Sequence, residues 1–160
     1  MIHVAVVGPG HATPAEESAA EVVGAELARA GALVVCGGLG GVMAAACRGA
    51  ASAGGTTLGL LPGVDRSDAN EWVTVAVPTG LGEGRNALVV RTADAVVAVG
   101  GAYGTLSEIA LALRAGTPVV GWRTWDLTSP GGQAAPIVHV DDPADAARTA
   151  LRLAGAGGYE

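Results

Sequence analysis

Residues 95–113 have the sequence AVVAVGGAYGTLSEIALAL, which contains one complete structural unit. Ala95–Val99 is a continuous apolar run rich in valine, and such a run predicts a strand that is buried on both faces. Glycines then end the strand, and Leu106, Ile109 and Leu113 follow at the spacing of an amphipathic helix. The stretch therefore predicts a strand, a glycine-rich turn and a helix in that order.

The same alternation of strand and helix continues along the whole chain. Six further strands are predicted, at Ile2–Val7, Ala32–Cys36, Thr56–Leu61, Trp72–Val77, Val119–Trp122 and Ile137–Val140. Helices are predicted from the capping box Thr13–Glu16 to Gly31, and at Val42–Ala53, Glu83–Ala93, Gly104–Ala115 and 142–154. Because such repeats pair in parallel through right-handed crossovers, we predict an α/β fold. More specifically, residues 1–160 should form a single-domain, Rossmann-like doubly wound sandwich with a mainly parallel sheet of six or seven strands.

Composition limits the functions that are open to this chain. It has 160 residues, of which 50% are hydrophobic and 15% are charged, so one domain with a sizeable core is expected. The net charge of −6 argues against a nucleic-acid-binding surface. All nine basic residues are arginines. Because there is no lysine, a pyridoxal phosphate Schiff base and the lysine of a Walker loop are excluded.

The cysteines and the apolar stretches predict a cytoplasmic location. Cys36 and Cys47 are the only cysteines and lack the spacing of a zinc site, so buried thiols in a reducing cytoplasm are expected. No signal peptide is visible at the N-terminus. The uncharged stretch 30–47 is interrupted in its middle by Gly37, Gly38, Gly40 and Gly41, which favours strand, loop and helix over a membrane span. We predict no membrane association and no metal site.

Three glycine-rich turns follow predicted strands, and each precedes a helix. Because ligands bind beyond the carboxyl ends of the strands in such sheets, these turns should meet at one edge. Helix N-termini with exposed backbone N–H groups bind phosphate, so the edge predicts a site for a nucleotide or another phosphorylated small molecule. The candidate binding residues are Gly8, Gly10, Gly37, Gly38, Gly40, Gly41, Met43, Gly100, Gly101, Tyr103, Gly104 and Thr105.

None of the turns has the complete dinucleotide fingerprint. Thr13 occupies the place of the third glycine after the first strand, and Met43 occupies it after the second. Redox chemistry with a nicotinamide or flavin cofactor is therefore not favoured, and no organic cofactor is expected. The chain also has no GxSxG segment, which argues against an α/β-hydrolase triad.

Two charged residues lie near the turns, and each has two interpretations. Glu108 is either the last residue of a second capping box, Thr105–Glu108, or a functional carboxylate. Arg85 is either a solvated helix cation or a ligand for phosphate. If both are functional, they are suited to hold a phosphorylated sugar. Tyr103 either packs locally or stacks on a base.

Several motifs of the sequence resemble those of a known family. Residues 37–43 (GGLGGVM), Gly49-Ala50, Arg85 and residues 101–108 (GAYGTLSE) resemble the LOG-like family, whose named members are cytokinin riboside 5′-monophosphate phosphoribohydrolases. The resemblance covers roughly residues 1–121. It implies a homodimer or higher homo-oligomer and the hydrolysis of a nucleoside 5′-monophosphate to free base and ribose 5-phosphate. The catalytic residues would be Arg85 and Glu108, and the phosphate would bind Gly101, Gly104 and Thr105.

The departures from the family pattern support an alternative. Gly100 replaces a proline, Ala102 replaces a glycine and Asn86 replaces a lysine of the LOG-like motif. The chain also looks like a shorter branch that is similar to the molybdenum-cofactor carrier proteins, which bind without catalysing a reaction. The sequence thus favours a phosphoribohydrolase, with a carrier or sensor for a nucleotide or the molybdenum cofactor as the alternative.

Overall fold

The computed structural model describes residues 1–156, so residues 157–160 of the predicted domain lie outside the described part. The seven strands are β1 (His3–Val7), β2 (Leu33–Cys36), β3 (Thr57–Leu61), β4 (Val75–Pro78), β5 (Ala95–Val99), β6 (Val119–Trp122) and β7 (Ile137–Val140). The five α-helices are α1 (Pro14–Arg29), α2 (Val42–Ser52), α3 (Arg85–Thr92), α4 (Tyr103–Ala115) and α5 (Pro143–Ala156). Two short 3-10 turns lie at Arg66–Asp68 and Gly82–Gly84.

The strands form one sheet in the order β4-β3-β2-β1-β5-β6-β7, and every neighbouring pair is parallel. Helices α1, α2 and α5 pack on one face of the sheet, whereas α3 and α4 pack on the other. The order of the strands reverses between β1 and β5, which lie side by side. The predicted Rossmann-like α/β fold is therefore confirmed, and the reversal opens a crevice above β1 and β5.

Both layers of the core are built from valine and alanine. Strands β1 and β5 contribute Val4–Val7 and Ala95–Val99, which are at most 1% exposed. The predicted buried thiols are confirmed, because Cys36 and Cys47 are free, fully buried and have their Sγ atoms 3.4 Å apart. No helix within residues 1–156 is both long enough and apolar enough to cross a membrane.

Only one of the two predicted capping boxes is present in residues 1–156. The Thr13–Glu16 box is present: Glu16 N–H donates to Thr13 Oγ1 at 3.2 Å, and Thr13 N–H donates to Glu16 Oε1 at 3.2 Å. The prediction of a capping box at Thr105–Glu108 is wrong, because α4 begins at Tyr103 and its N-cap is Ala102. Thr105 therefore lies inside the first turn, where its hydroxyl cannot cap the helix.

Two other boundaries differ from the predictions. Strand β4 begins at Val75 rather than Trp72, because the Thr57 hydroxyl donates to the Trp72 carbonyl and the Thr57 N–H donates to the Thr74 hydroxyl. These side-chain bonds replace the strand ladder just before β4. Helix α3 begins at Arg85 rather than Glu83, because the preceding glycines form a 3-10 turn.

Helices α1 and α2 cross at two glycines. A Cβ at Gly24 would collide with the backbone carbonyl of Ala46, and one at Gly49 would collide with the carbonyl of Glu21. Each helix thus places its backbone against the other, which larger side chains would prevent. The adjacent ion pair between Arg48 and Glu21, at 2.9 Å, links the same two helices.

We predict that Gly24→Ala and Gly49→Ala each lower the free energy of unfolding by about 1–3 kcal/mol through overpacking. This is opposite to the usual gain of up to about 1 kcal/mol when alanine replaces a helical glycine. Chemical denaturation would measure the change. Gly155→Ala is the matched control, since a Cβ at this α5 position meets nothing within 4 Å. Equal stability of all three variants would contradict the proposed close contact.

Candidate functional site

A cleft of about 500 Å³ lies at the carboxyl ends of the central strands. It is bounded by the loop after β1, the start of α3 and the first turns of α4, and we call it the α4 cleft. Its position is next to the point where the strand order reverses. Eight of the sequence-predicted site residues line it: Gly8, Gly10, Met43, Arg85, Tyr103, Gly104, Thr105 and Glu108.

A smaller cleft of about 380 Å³ lies on the other side of the loop after β1, and we call it the α1 cleft. It is lined by the start of α1, the loop after β5 and the end of β6. Gly100 and Gly101 line the α1 cleft rather than the α4 cleft. Pro9 and Ala102 line both clefts and form the ridge between them.

The second glycine-rich turn, residues 37–41, lies at the same edge of the sheet, as expected, but its residues line neither of these two clefts. Gly38 packs against Leu61, and Gly41 packs against the backbone of Pro9 and Gly10. Gly38 and Gly41 have φ angles of 79° and 62°, which explains the preference for glycine there. This turn therefore supports the first turn from behind. Its remaining predicted residues are Gly37, which lies beneath Arg85, and Gly40, which lies beside Gly10.

The N-terminus of α4 is open towards the α4 cleft. Its N-cap residue Ala102 supplies no side-chain hydrogen bond, and the Leu106 N–H donates to the Ala102 carbonyl as the first helical bond. The N–H groups ahead of Leu106 are those that a helix leaves without intrahelical partners. Thr105 is 1% exposed, and its hydroxyl finds no hydrogen-bond partner within residues 1–156. The arrangement is suited to bind an anion.

Arg85 supplies a buried positive charge to the same cleft. It is 8% exposed, and its Nη1 donates to Asn86 Oδ1 at 3.1 Å. Its Nε has no hydrogen-bond partner in the described part of the chain. The guanidinium lies against the backbone of Gly37, where a Cβ would come within 2.7 Å of Cζ. Gly37 is therefore needed to admit the arginine, and the solvated-cation interpretation of Arg85 is wrong.

Glu108 projects from the second turn of α4 and is 7% exposed. Burial raises the pKa of this carboxyl from its ordinary value of 4.5 to about 7, although the nearby Arg85 guanidinium lowers it in part. No ion pair joins the two side chains among the residues described here. At neutral pH the carboxyl is therefore present in both its neutral and charged forms, and it can donate or accept a hydrogen bond.

The aromatic pair beside the α4 cleft is not predicted by any sequence motif. The Trp125 ring stacks on Tyr103 with 6.0 Å between the ring centroids, and Trp125 Nε1 donates to the Ala102 carbonyl at 3.0 Å. Tyr103 is 83% exposed, so one face of its ring is free to meet a ligand. Trp125 is distant in sequence and carries no local motif, which is why only the folded chain shows its role.

The comparisons with known proteins agree with this architecture. The sequence model of the SLOG cluster4 family matches residues 1–147. The chain belongs to this family. It is also 38% identical to an uncharacterised protein of Archaeoglobus fulgidus over 119 residues, which are 74% of this chain and 78% of the relative.

Two similar solved structures are named for the molybdenum cofactor. One is the molybdenum cofactor binding protein of Rippkaea orientalis, with a TM-score of 0.85, 32% identity and coverage of 94% of this chain and 95% of that one. The other is the molybdenum cofactor carrier protein of Chlamydomonas reinhardtii, with a TM-score of 0.84, 32% identity and coverage of 97% and 98%. The suspected resemblance to the short, carrier-like branch is confirmed.

A more distant likeness concerns the fold alone. The DNA processing protein A of Helicobacter pylori, described for its single-stranded DNA binding, has a TM-score of 0.70 at 20% identity. The absence of nucleic-acid binding, which the acidic composition predicts for this chain, stays a prediction. Among residues 1–156 there is no group of three or more His, Cys, Asp or Glu side chains that could hold a metal ion.

The raised pKa of Glu108 predicts a pH-dependent stability. The fold favours the neutral carboxyl, so its contribution is complete below about pH 4.5 and is lost as the pH rises to about 7. We expect Glu108→Gln to gain stability over the wild type between pH 5 and pH 8, by up to about 3 kcal/mol. Denaturation at several pH values would measure this gain.

Glu71→Gln is the matched control for that experiment, because Glu71 is exposed. Its difference from the wild type should stay constant over the same range of pH. A constant difference for Glu108→Gln as well would contradict the burial of a carboxyl with a raised pKa.

Proposed function

We propose that this protein is a non-catalytic carrier that binds the molybdenum cofactor, a phosphorylated pterin, in the α4 cleft. The observation that carries the proposal is the unpartnered Thr105 hydroxyl at the uncapped start of α4. Buried polar groups are almost always hydrogen-bonded in folded proteins. A group left without a partner inside a cleft therefore favours a ligand that supplies one.

Phosphate is the chemical group that best matches the start of α4. The N–H groups of the first turn and the Thr105 hydroxyl donate hydrogen bonds to phosphate oxygens, and the helix dipole favours negative charge there. Arg85 adds a buried positive charge with an unused Nε–H donor. These groups together offset the cost of removing a phosphate from water.

The pterin ring has its own partners in this cleft. A pterin is flat and carries N–H donors and ring acceptors on its edge. The exposed face of Tyr103 offers a surface for stacking, and the stacked Trp125 holds that ring in place. Glu108, which both donates and accepts near neutral pH, lies deeper in the same cleft. The metal of the cofactor is carried by the sulfurs of the pterin itself, so the carrier need not supply ligands.

The similar solved structures support the choice of cargo. Both proteins are named for the molybdenum cofactor and align with at least 94% of this chain at 32% identity. The homo-oligomeric state that the sequence resemblance implies stays a prediction, which sedimentation velocity would check.

We expect Thr105→Val to weaken binding of the molybdenum cofactor by about tenfold, since valine preserves the shape and removes the hydroxyl. Arg85→Met should weaken it by more, because a charged donor is lost while the apolar stem is kept. The protein would be incubated with the cofactor and passed through a desalting column. Bound molybdenum and the fluorescence of the oxidised pterin would then be measured.

Arg114→Ala provides the control for charge, because Arg114 is exposed near the opposite end of α4. It should retain the cofactor as the wild type does. Retention of the cofactor by both site variants would contradict the assignment of the α4 cleft, whereas no retention by the wild type would contradict the proposed cargo.

The second candidate function is the phosphoribohydrolase that the sequence favours, although the similar solved structures are named for the molybdenum cofactor. The position of Glu108 in the cleft supports it. A carboxylate beside a ribose stabilises the oxocarbenium-like transition state of N-glycosidic cleavage. A pKa of about 7 leaves Glu108 partly charged at neutral pH, so its protonation is compatible with both functions. The carrier is preferred because the similar solved structures are named for the molybdenum cofactor.

A chromatographic assay with AMP, GMP, CMP, UMP and isopentenyl-AMP separates the two functions. We expect the wild type to leave all five nucleotides intact at neutral pH, and Glu108→Gln to behave in the same way. Release of free base by the wild type alone would replace the carrier with the hydrolase.

A further inference from the structure

We propose that the ligand of this protein extends across the ridge of Pro9 and Ala102 into the α1 cleft, so that the chain binds a pyrophosphate-linked form with a second heterocyclic ring. The inference rests on the proposed binding of a phosphorylated ring in the α4 cleft. It adds a second binding site with a different set of side chains.

The two clefts flank the reversal of strand order between β1 and β5, where doubly wound sheets bind ligands with two halves. The two clefts share Pro9 and Ala102, so a ligand passes from one to the other over a single ridge. The α1 cleft, at about 380 Å³, has the volume of a small ligand site.

The backbone segment 100–102 connects the two clefts. Ala102 is the N-cap of α4, where we place the phosphate of the first half. The two residues before it, Gly100 and Gly101, line the α1 cleft. A second phosphate joined to the first would therefore meet the backbone of Gly101. Gly100 is covered by the Glu16 carboxylate, with which a Cβ at this position would collide.

The side chains of the α1 cleft include both charged and aromatic groups. Its titratable side chains are His11, Glu16 and Arg123. The Arg123 guanidinium lies over the Trp122 ring, 4.4 Å from the centroid, and thus presents a flat cationic surface. Glu16 accepts the Thr13 N–H with Oε1, which leaves Oε2 to accept an amine of a base. A guanidinium plane and an acceptor together suit a heterocycle with an exocyclic amine.

The start of α1 does not itself serve as an anion site in this cleft. The capping box of Thr13 and Glu16 already satisfies donors there. The α1 cleft is therefore matched to a ring rather than to a further phosphate. Arg123 has a φ of 48°, a left-handed conformation that an arginine adopts at a cost. That conformation accompanies the seating of its side chain on Trp122.

Guanine nucleotides are suitable probes, because guanine shares the amino-oxo pyrimidine ring of a pterin. Binding of GMP, GDP and the pyrophosphate-linked dimer Gp2G would be measured by calorimetry. We expect Gp2G to bind the wild type about tenfold more tightly than GDP, because the tethered second ring binds at a high effective concentration. GDP separates the contribution of the second phosphate from that of the second ring.

Arg123→Gly removes the stacking surface and suits the positive φ at this position, so the variant should fold at least as well as the wild type. It should lose the advantage of Gp2G over GDP and keep the affinity for GMP. Ala15→Trp, at an exposed first-turn position of α1 that lines the cleft, should have the same effect by filling it. Arg114→Ala is the charge control and should leave all three affinities unchanged.

Equal affinity of the wild type for Gp2G and GDP would overturn the inference, as would no measurable binding of any of the three. Either result leaves the proposed function intact, because that function is tested with the molybdenum cofactor itself. Conversely, tight binding of Gp2G by a protein that does not retain the cofactor would support the two clefts and reject the proposed cargo.

Discussion

The parallel pairing of β1 with β5 is the constraint on which the other features depend. Once these strands are neighbours, right-handed crossovers send α1 and α2 to one face and α4 to the other. The loops after β1 and β5 must then separate above the sheet, which opens a crevice between them. Each loop is short and contains glycine, so neither fills the space. The two clefts share a ridge because they lie on either side of this one separation.

Polar groups inside the α4 cleft lower the stability of the folded protein. Arg85 and Glu108 are both at least nine-tenths buried, and neither the Arg85 Nε nor the Thr105 hydroxyl has a partner in the described residues. Burying such groups without hydrogen bonds costs free energy, which a ligand with the matching groups would recover. The raised pKa of Glu108 has the same origin, because burial disfavours the charged carboxylate. A site of this kind is suited to a ligand that supplies the missing hydrogen-bond partners.

The carrier and the hydrolase use the same residues and differ in the state of one carboxyl. A hydrolase uses the charged form of Glu108 beside the ribose, whereas a carrier gains from a carboxyl that both donates and accepts, and a pKa of about 7 provides both forms. Asn86, which replaces the LOG-like lysine, gives the Arg85 guanidinium an uncharged partner, because Arg85 Nη1 donates a hydrogen bond to Asn86 Oδ1. The local electrostatics are therefore compatible with both functions, and the solved structures named for the molybdenum cofactor are the argument for the carrier.

Local sequence by itself determined the alternation of strands and helices, the capping of α1, and Arg85, Thr105 and Glu108 as candidate residues. These features depend on apolar periodicity and on side chains within one helical turn of each other, so they are legible without the fold. Only the tertiary structure decided that the turn at residues 37–41 supports the site from behind, that α4 begins without a cap, and that Trp125 holds Tyr103. It also created the α1 cleft from segments more than 80 residues apart in the chain. Those outcomes depend on which strands become neighbours, and burial against a distant strand leaves no local pattern in the sequence.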